Sequence, residues 1–160
     1  MRMVPAVRLA QAEFARSVAS MLSGEGAARY GGRWNHPGTR IVYLAETLSL
    51  AALEQLIHLR LRRALQGYRV LRLELPRATV FNLDPADLPN DWRAHGVCDA
   101  TRTIGDSWVT ARASLALRVP STVIPAEHNI LLNPAHPDMA SVVFGEIEPF
   151  VFDARLESAD

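Results

Sequence analysis

One cysteine, Cys98, among 160 residues leaves no internal disulfide to brace the fold, and a lone thiol fits a reducing compartment. Net charge is also missing, because 17 Lys and Arg residues cancel 17 Asp and Glu residues. Without a positive field to gather phosphate polymers or anionic lipid, nucleic acid and membrane surfaces are not expected as partners. No apolar run reaches the roughly 20 residues that span a bilayer, and the most apolar stretch, Leu48 to Leu61, is broken by Glu54 and His58. Behind Met1-Arg2-Met3-Val4-Pro5, the residues Arg8, Gln11, Glu13 and Arg16 interrupt any export segment, so cytoplasm is the expected location. Phosphate loop, dinucleotide glycine fingerprint, cysteine pair and HExxH helix are all absent, and no metal is expected. There is no internal repeat and no low-complexity segment.

What is present is globular usage, 49% apolar and 21% charged, in a length that suits one domain over residues 1–160. Phe14, Val18, Met21 and Leu22 predict a short helix over 13–22, stopped by Ser23-Gly24-Glu25-Gly26. Residues 27–40 read as a loop that holds Gly31-Gly32, Pro37 and Gly38 among arginines, a tyrosine and a tryptophan. Ile41 to Leu44 reads as a strand leading into a helix that Thr47 or Ser49 caps and Gly67 ends. Alternation predicts a strand over Tyr68 to Leu75, and Thr79 to Leu83 reads as another. Residues 84–106 read as a long irregular connection, followed by a short helix over 109–117. Strands are predicted at Ser121 to Ile124, Ile130 to Leu132 and Phe150 to Phe152, and the tail from Glu157 is expected to fray. Strands and helices mix without regular alternation, so the fold class is α+β.

Two features carry chemistry. Successive helix residues turn by about 100°, which sets Leu50, Glu54, His58, Leu61 and Leu65 on one stripe, while Leu48, Ala52, Leu56 and Leu59 make the opposite side apolar too. The first turns are therefore expected to be buried nearly all round, with a carboxylate inside. Glu54 is then neutral, paired with an arginine as a structural group, or placed in a wet cleft as a catalytic carboxylate. The second feature is the cluster Arg29, Arg33 and Arg40 around the glycine loop, suited to bidentate capture of a phosphate or carboxylate. Solvated arginines, or pairs with Glu25 and Glu46, are the plainer reading of the same residues.

The run Gly31-Gly32-Arg33-Trp34-Asn35 with Gly38, Tyr43, Ala45 and Glu54 resembles the signature of RES-domain toxins. Further blocks follow in the same order: Gly105-x-x-Trp108, Val119-Pro120-Ser121 and Asn129-x-x-x-Asn133-Pro134-x-His136. The resemblance covers about residues 8–145, with no departure at a key position. It implies a fold like the ADP-ribosyltransferase toxins, a split mixed sheet flanked by helices, with NAD+ as substrate. By motif position the namesake arginine, glutamate and serine are Arg33, Glu54 and Ser121, and Arg8 would be a second arginine. The family also implies an antitoxin partner with a helix-turn-helix-like DNA-binding region, a homodimer within that complex, and in some members a protein acceptor of ADP-ribose.

On this reading Glu54 stabilises the cationic ribose as nicotinamide leaves, and serves as base for the incoming nucleophile. Arg33, helped by Arg8, holds the pyrophosphate; Tyr43 packs on nicotinamide or bonds the ribose; Ser121 bonds the carboxamide or ribose. The acceptor is left open among water, phosphate and a protein side chain. Plain readings stand beside these: Tyr43 as a core aromatic, Ser121 as a turn residue, His58 as a satisfied helix group that could orient Glu54. Trp34, Trp92 and Trp108 are read as packing residues, Asn129 and Asn133 as loop ties, and Cys98 as inert. From another class, the chain would be a non-catalytic module that binds a phosphorylated ligand through Arg33, or a protein whose only task is assembly.

Overall fold

The computed structural model describes residues 1–58, 65–96 and 98–156. Its centre is an eight-stranded mixed sheet, so the α+β class holds. The strands are β1 (Met3–Gln11), β2 (Val42–Ala45), β3 (Tyr68–Pro76), β4 (Val80–Asn82), β5 (Ala116–Pro120), β6 (His128–Leu132), β7 (Val143–Phe144) and β8 (Glu148–Phe150). They run in the order β4-β5-β6-β2-β1-β3-β7, with β8 also on β3. The β4–β5 pair is parallel and the others are antiparallel. β1 lies against β3 along its whole length, from Met3 opposite Pro76 to Gln11 opposite Tyr68, but meets β2 at one register pair, Val7 opposite Ala45. That narrow seam divides the sheet into two halves.

Alternation along the strands sorts the core into two faces. Ala6, Ala10, Val42, Leu44, Leu71, Leu73, Ile130 and Leu132 pack on one face, where the short helix α1 (Val18–Met21) adds Met21. Val7, Leu9, Ala45 and Val70 occupy the other face beneath α3 (Leu48–His58), which contributes Leu50 and Ala51. The same second face continues under α4 (Asp99–Ala111), where Trp108 packs with Trp34, Leu117, Val119 and Leu131. No described helix is long and apolar enough to cross a membrane.

Several sequence expectations need correction. No element was expected over 3–11, yet β1 is an interior strand between β2 and β3; burial on both faces and Pro5 erase the alternation that marks a strand. The helix expected over 13–22 is a single 3-10 turn, Ala12–Phe14, and then α1, because Ser17 and Ser20 cap each other reciprocally and start a new helix. The supposed loop 27–40 begins with α2 (Glu25–Tyr30), bracketed by Gly24 and Gly31 at φ 69° and 73°. In place of an irregular connection to 106 and a helix over 109–117, α4 spans residues 99–111, Arg112 ends it at φ 49°, and β5 follows. Thr101, Gly105 and Trp108 form the buried stripe of α4; a glycine and a β-branched residue in mid-helix hid it.

At the other end, Ser121 to Ile124 is a turn rather than a strand, and β8 stops at Phe150. Phe152 packs edge-on against Tyr68 and Phe150, with ring centroids 5.1 and 4.9 Å away. The strands near 42–45, 68–76, 80–82 and 128–132 agree with the sequence, and Gly67 has φ 75°. The helix expected from 47 to 66 is seen through His58; residues 59–64 and the tail from 157 lie outside the described residues. Burial all round the first turns is not found, since Leu53 and Ile57 are 40% and 65% exposed.

Candidate functional site

Glu54 leaves α3 at its middle. Leu50 and Ala51 seat that helix on the sheet, and the Gln55 amide donates to the Leu9 carbonyl at 2.9 Å, which fixes the helix against β1. The Glu54 side chain is half-buried and not walled off in the core. Two donors reach it: Ser121 Oγ at 2.7 Å and Asn129 Nδ2 at 2.9 Å, both on Oε1. Oε2 has no hydrogen bond among the described residues, and no described lysine or arginine pairs with this carboxylate. His58 is exposed and is not one of its donors.

Ser121 follows β5 directly and is fully buried. While its hydroxyl donates to Glu54, its oxygen accepts from the amides of Val123 and Ile124 at 3.0 and 3.1 Å. All its hydrogen-bonding capacity is used inside the protein, so the expected contact with a carboxamide or ribose has no free atom; Ser121 orients Glu54. Asn129 is the residue the sequence reading missed. It sits on β6 beside buried Ile130, so alternation turns its amide to the face of Leu131 and α3, and it holds a carboxylate rather than a loop. A polar amide at an inward position of a strand, inside a motif block, was the available signal. Asn133 does tie loops: its Oδ1 accepts from the Ala135 amide at 3.0 Å.

The loop after α2 is built around Asn35, which is completely buried. Its Nδ2 donates to the carbonyls of Ala27, His36 and Thr39, and its Oδ1 accepts from the Tyr43 hydroxyl at 2.6 Å. The Tyr43 oxygen in turn accepts from the Trp34 amide at 3.0 Å. Burial pushes the Tyr43 phenol well above its ordinary 10.0, so it is neutral and cannot act as a base. Gly32 is required by this closeness, because a Cβ there would stand 2.5 Å from the Tyr43 hydroxyl. Tyr43 is therefore a structural half-buried aromatic whose hydroxyl belongs to the loop.

From α4 the loop is gripped again. Thr101 Oγ1 donates to the Arg33 carbonyl at 2.6 Å, and Arg102 Nε to the Gly32 carbonyl at 2.9 Å. Half-buried Arg33 sends Nη1 to the carbonyls of Ala94 and Trp92 at 2.8 and 3.4 Å, leaving Nε and Nη2 without a described partner. Arg93, between those carbonyls, donates to the Thr122 carbonyl at 3.1 Å. Arg33, the 92–94 turn, the 121–122 turn and Glu54 thus follow one another in a chain of contacts on a single face of the sheet.

Arg8 is not in that chain. Alternation along β1 places it with Ala6 and Ala10 on the opposite face, where Nε donates to the Met21 carbonyl at 3.2 Å. Burial lowers its guanidinium to about 10, still a cation at neutral pH. The expectation that it helps Arg33 on a pyrophosphate is not supported by this placement. Of the other loop arginines, Arg29 pairs with Glu25 at 2.9 Å, as the plain reading had it, while Glu46 pairs with Arg118 instead. Trp34 and Trp108 are buried packing residues.

The described residues contain no group of three metal-binding side chains. The arrangement is a carboxylate with one oxygen fixed by neutral donors and the other without a hydrogen bond among the described residues, linked through the 121–122 and 92–94 turns to a loop whose guanidinium is partly free.

Comparison with known proteins gives concordant matches. A family model described as the RES domain matches residues 5–153. A protein named Toxin Res from Yersinia enterocolitica is 40% identical over 144 residues, 89% of this chain and 94% of that protein. A protein named Prs ADP-ribosylating toxin from a Sphingobium species is 33% identical over 138 residues, 84% of this chain and 86% of that one. Among solved structures, a chain in the crystal structure of the M. tuberculosis MbcT–MbcA toxin–antitoxin complex superposes with a TM-score of 0.74. It covers 94% of this chain and 85% of its own length at 20% identity, a likeness of fold.

Proposed function

Because the chain belongs to the RES-domain family, we propose that it is the toxin of a toxin–antitoxin pair and that it cleaves NAD+ between nicotinamide and ribose at Glu54. One observation carries the reading: Glu54 Oε1 is held by Ser121 and Asn129, neutral donors that orient the carboxylate without supplying a compensating charge, and Oε2 has no hydrogen bond among the described residues. A charge prepared in this way suits a cation that exists only as the reaction proceeds.

In the proposed step the C1′–N bond of the nicotinamide ribose breaks. Its electron pair leaves with the pyridine ring, neutralising that ring and leaving an oxocarbenium-like sugar. Glu54 stabilises the sugar cation and takes the proton of the incoming nucleophile. Arg33 holds the pyrophosphate with the nitrogens it does not spend on the 92–94 carbonyls, while the Tyr43 ring lines the nicotinamide end. Ser121 and Asn129 act through Glu54. The nucleophile is water, phosphate or a protein side chain. A cognate antitoxin completes the reading, supported by the toxin names of the relatives and by the toxin–antitoxin complex that holds the structural neighbour; a homodimer within the complex and a cytoplasmic location are part of the proposal.

The test is incubation with NAD+: nicotinamide accumulates if the reading is right, and NAD+ binding without release rejects it in favour of a ligand-binding module. NAD+ labelled in the adenosine part, added to cell lysate, then identifies the acceptor. Label on a protein band means transfer; label in free or phosphorylated ADP-ribose means degradation.

Ser121→Ala and Asn129→Ala each remove one hydrogen bond to an ionised group, worth about 1.5–3 kcal/mol, and should lower kcat about 10- to 100-fold with KM little changed. Steady-state kinetics check this. Because both donors serve one oxygen, the double variant should lose less than the product of the two.

A further inference from the structure

The loop bearing Arg33 and the helix α4 are joined by one titratable side chain. His36 Nδ1 lies 2.7 Å from Asp106 Oδ2, its Nε2 lies 3.1 Å from Asp99 Oδ1, and its backbone amide donates to Asp106 Oδ1 at 3.1 Å. A carboxylate only accepts, and a neutral imidazole has a single N–H, so both ring contacts are satisfied together only by the imidazolium. We propose that protonated His36 is a latch that holds the Arg33 loop on α4, and that the latch loosens when the imidazole gives up its proton, weakening the hold on a diphosphate substrate. His36 is thus a positioning residue, and the proposal rests on the NAD+ reading of the site.

Charges of both signs surround His36. On α4, Asp99 and Asp106 attract the imidazolium, while Arg102, bonded to the Gly32 carbonyl, opposes it. On the loop itself Arg33 is turned to the 92–94 carbonyls. On α2 the charges Glu25 and Arg29 pair with each other, and on β2 Tyr43 is neutral. The carboxylates prevail: hydrogen bonding to Asp106, then to Asp99, raises His36 above its ordinary 6.5. A group raised in the folded protein contributes fully below its unfolded value and loses that contribution as pH climbs through its folded value. The change therefore falls above pH 6.5. Asp106 is the main anchor, since its side chain is 25% exposed against 85% for Asp99.

The loop consists of neighbours of the site, so loosening propagates directly. Thr101 holds the Arg33 carbonyl two residues from Asp99, and Gly105 lies against the Trp34 carbonyl beside Asp106. Release of the imidazole removes one hold on the run Gly31 to His36, whose third member is Arg33, while the Asn35 and Thr101 bonds to that run stay in place.

The experiment compares the full chain with Asp106→Asn, whose amide oxygen still accepts the His36 backbone N–H. Side-chain nitrogen NMR should show His36 titrating above 6.5 in the wild type and at lower pH in the variant. The Arg33 and Trp34 amide resonances should follow the same curve in the wild type and stay still over that range in the variant. In turnover, the wild-type KM for NAD+ should rise about two- to fivefold across this transition, the range a solvent-screened ion pair supports, with kcat less affected. The variant should show the raised KM already at the acid end and no further rise. Identical His36 titrations, or Arg33 and Trp34 resonances that move alike in both proteins, overturn the latch. Absence of nicotinamide release overturns the NAD+ reading instead, and the resonances still decide whether the latch exists.

Discussion

Glu54→Gln is expected to slow nicotinamide release from NAD+ by about 10²- to 10³-fold, the range seen when one preorganised electrostatic group is removed, while NAD+ still binds. The carboxamide occupies the same volume, and its oxygen can still accept from Ser121 and Asn129, the two donors that Glu54 Oε1 now serves. What disappears is the charge at Oε2. NAD+ in its ground state carries its positive charge on the pyridine ring, whereas the transition state carries it on the ribose beside residue 54. Loss of the charge should therefore appear in kcat and spare KM. Nicotinamide assays over a range of NAD+ concentrations separate the two constants, and equal kcat for both proteins would remove Glu54 from the chemistry.

Gly105→Ala should cost at least about 3 kcal/mol of stability, the upper end of overpacking penalties. A Cβ at this position would stand 1.6 Å from the Trp34 carbonyl oxygen and 2.7 Å from its carbon, and both are backbone atoms between the gripped residues Arg33 and Asn35. Neither α4 nor the loop can move aside without breaking the Thr101 and Arg102 bonds to the same loop. For a domain of this size that corresponds to a Tm lower by about 6–12 °C, measured by circular dichroism. Gly26→Ala is the control: its Cβ would meet nothing within 4 Å inside α2, and the substitution should leave Tm unchanged or raise it slightly. A Gly105→Ala protein melting with the wild type would show that α4 does not press on the loop as described.

Local rules made much of the frame legible. Tyr68 to Leu75 alternates as a half-buried strand must, and β3 has that pattern of burial. The helix carrying Glu54 was visible because its apolar residues recur at helical spacing and a capping threonine precedes it; the Leu50 amide does bond Thr47 Oγ1 at 3.2 Å. β1 and α4 were hidden for opposite reasons. β1 is covered on both faces and so has no polar period, while α4 buries threonine, glycine and tryptophan, a stripe that looks like loop composition. At the site, motif order brought Arg33, Glu54 and Ser121 forward, but their bonding was not readable. Which face of the sheet Arg8 takes depends on register, and that Ser121 is saturated depends on two amides of its own turn. Asn129 reaches Glu54 across 75 residues of sequence, a contact that exists only once β6 lies beside β2.

The most direct test is a crystal structure of the Glu54→Gln variant with intact NAD+. The nicotinamide ribose should lie against the side-chain position that Oε2 occupies in the wild type, with the pyrophosphate on the Arg33 guanidinium. NAD+ found on the opposite face of the sheet, for instance in the cavity of about 250 Å³ that Arg2, Arg77 and Arg118 line, would contradict it.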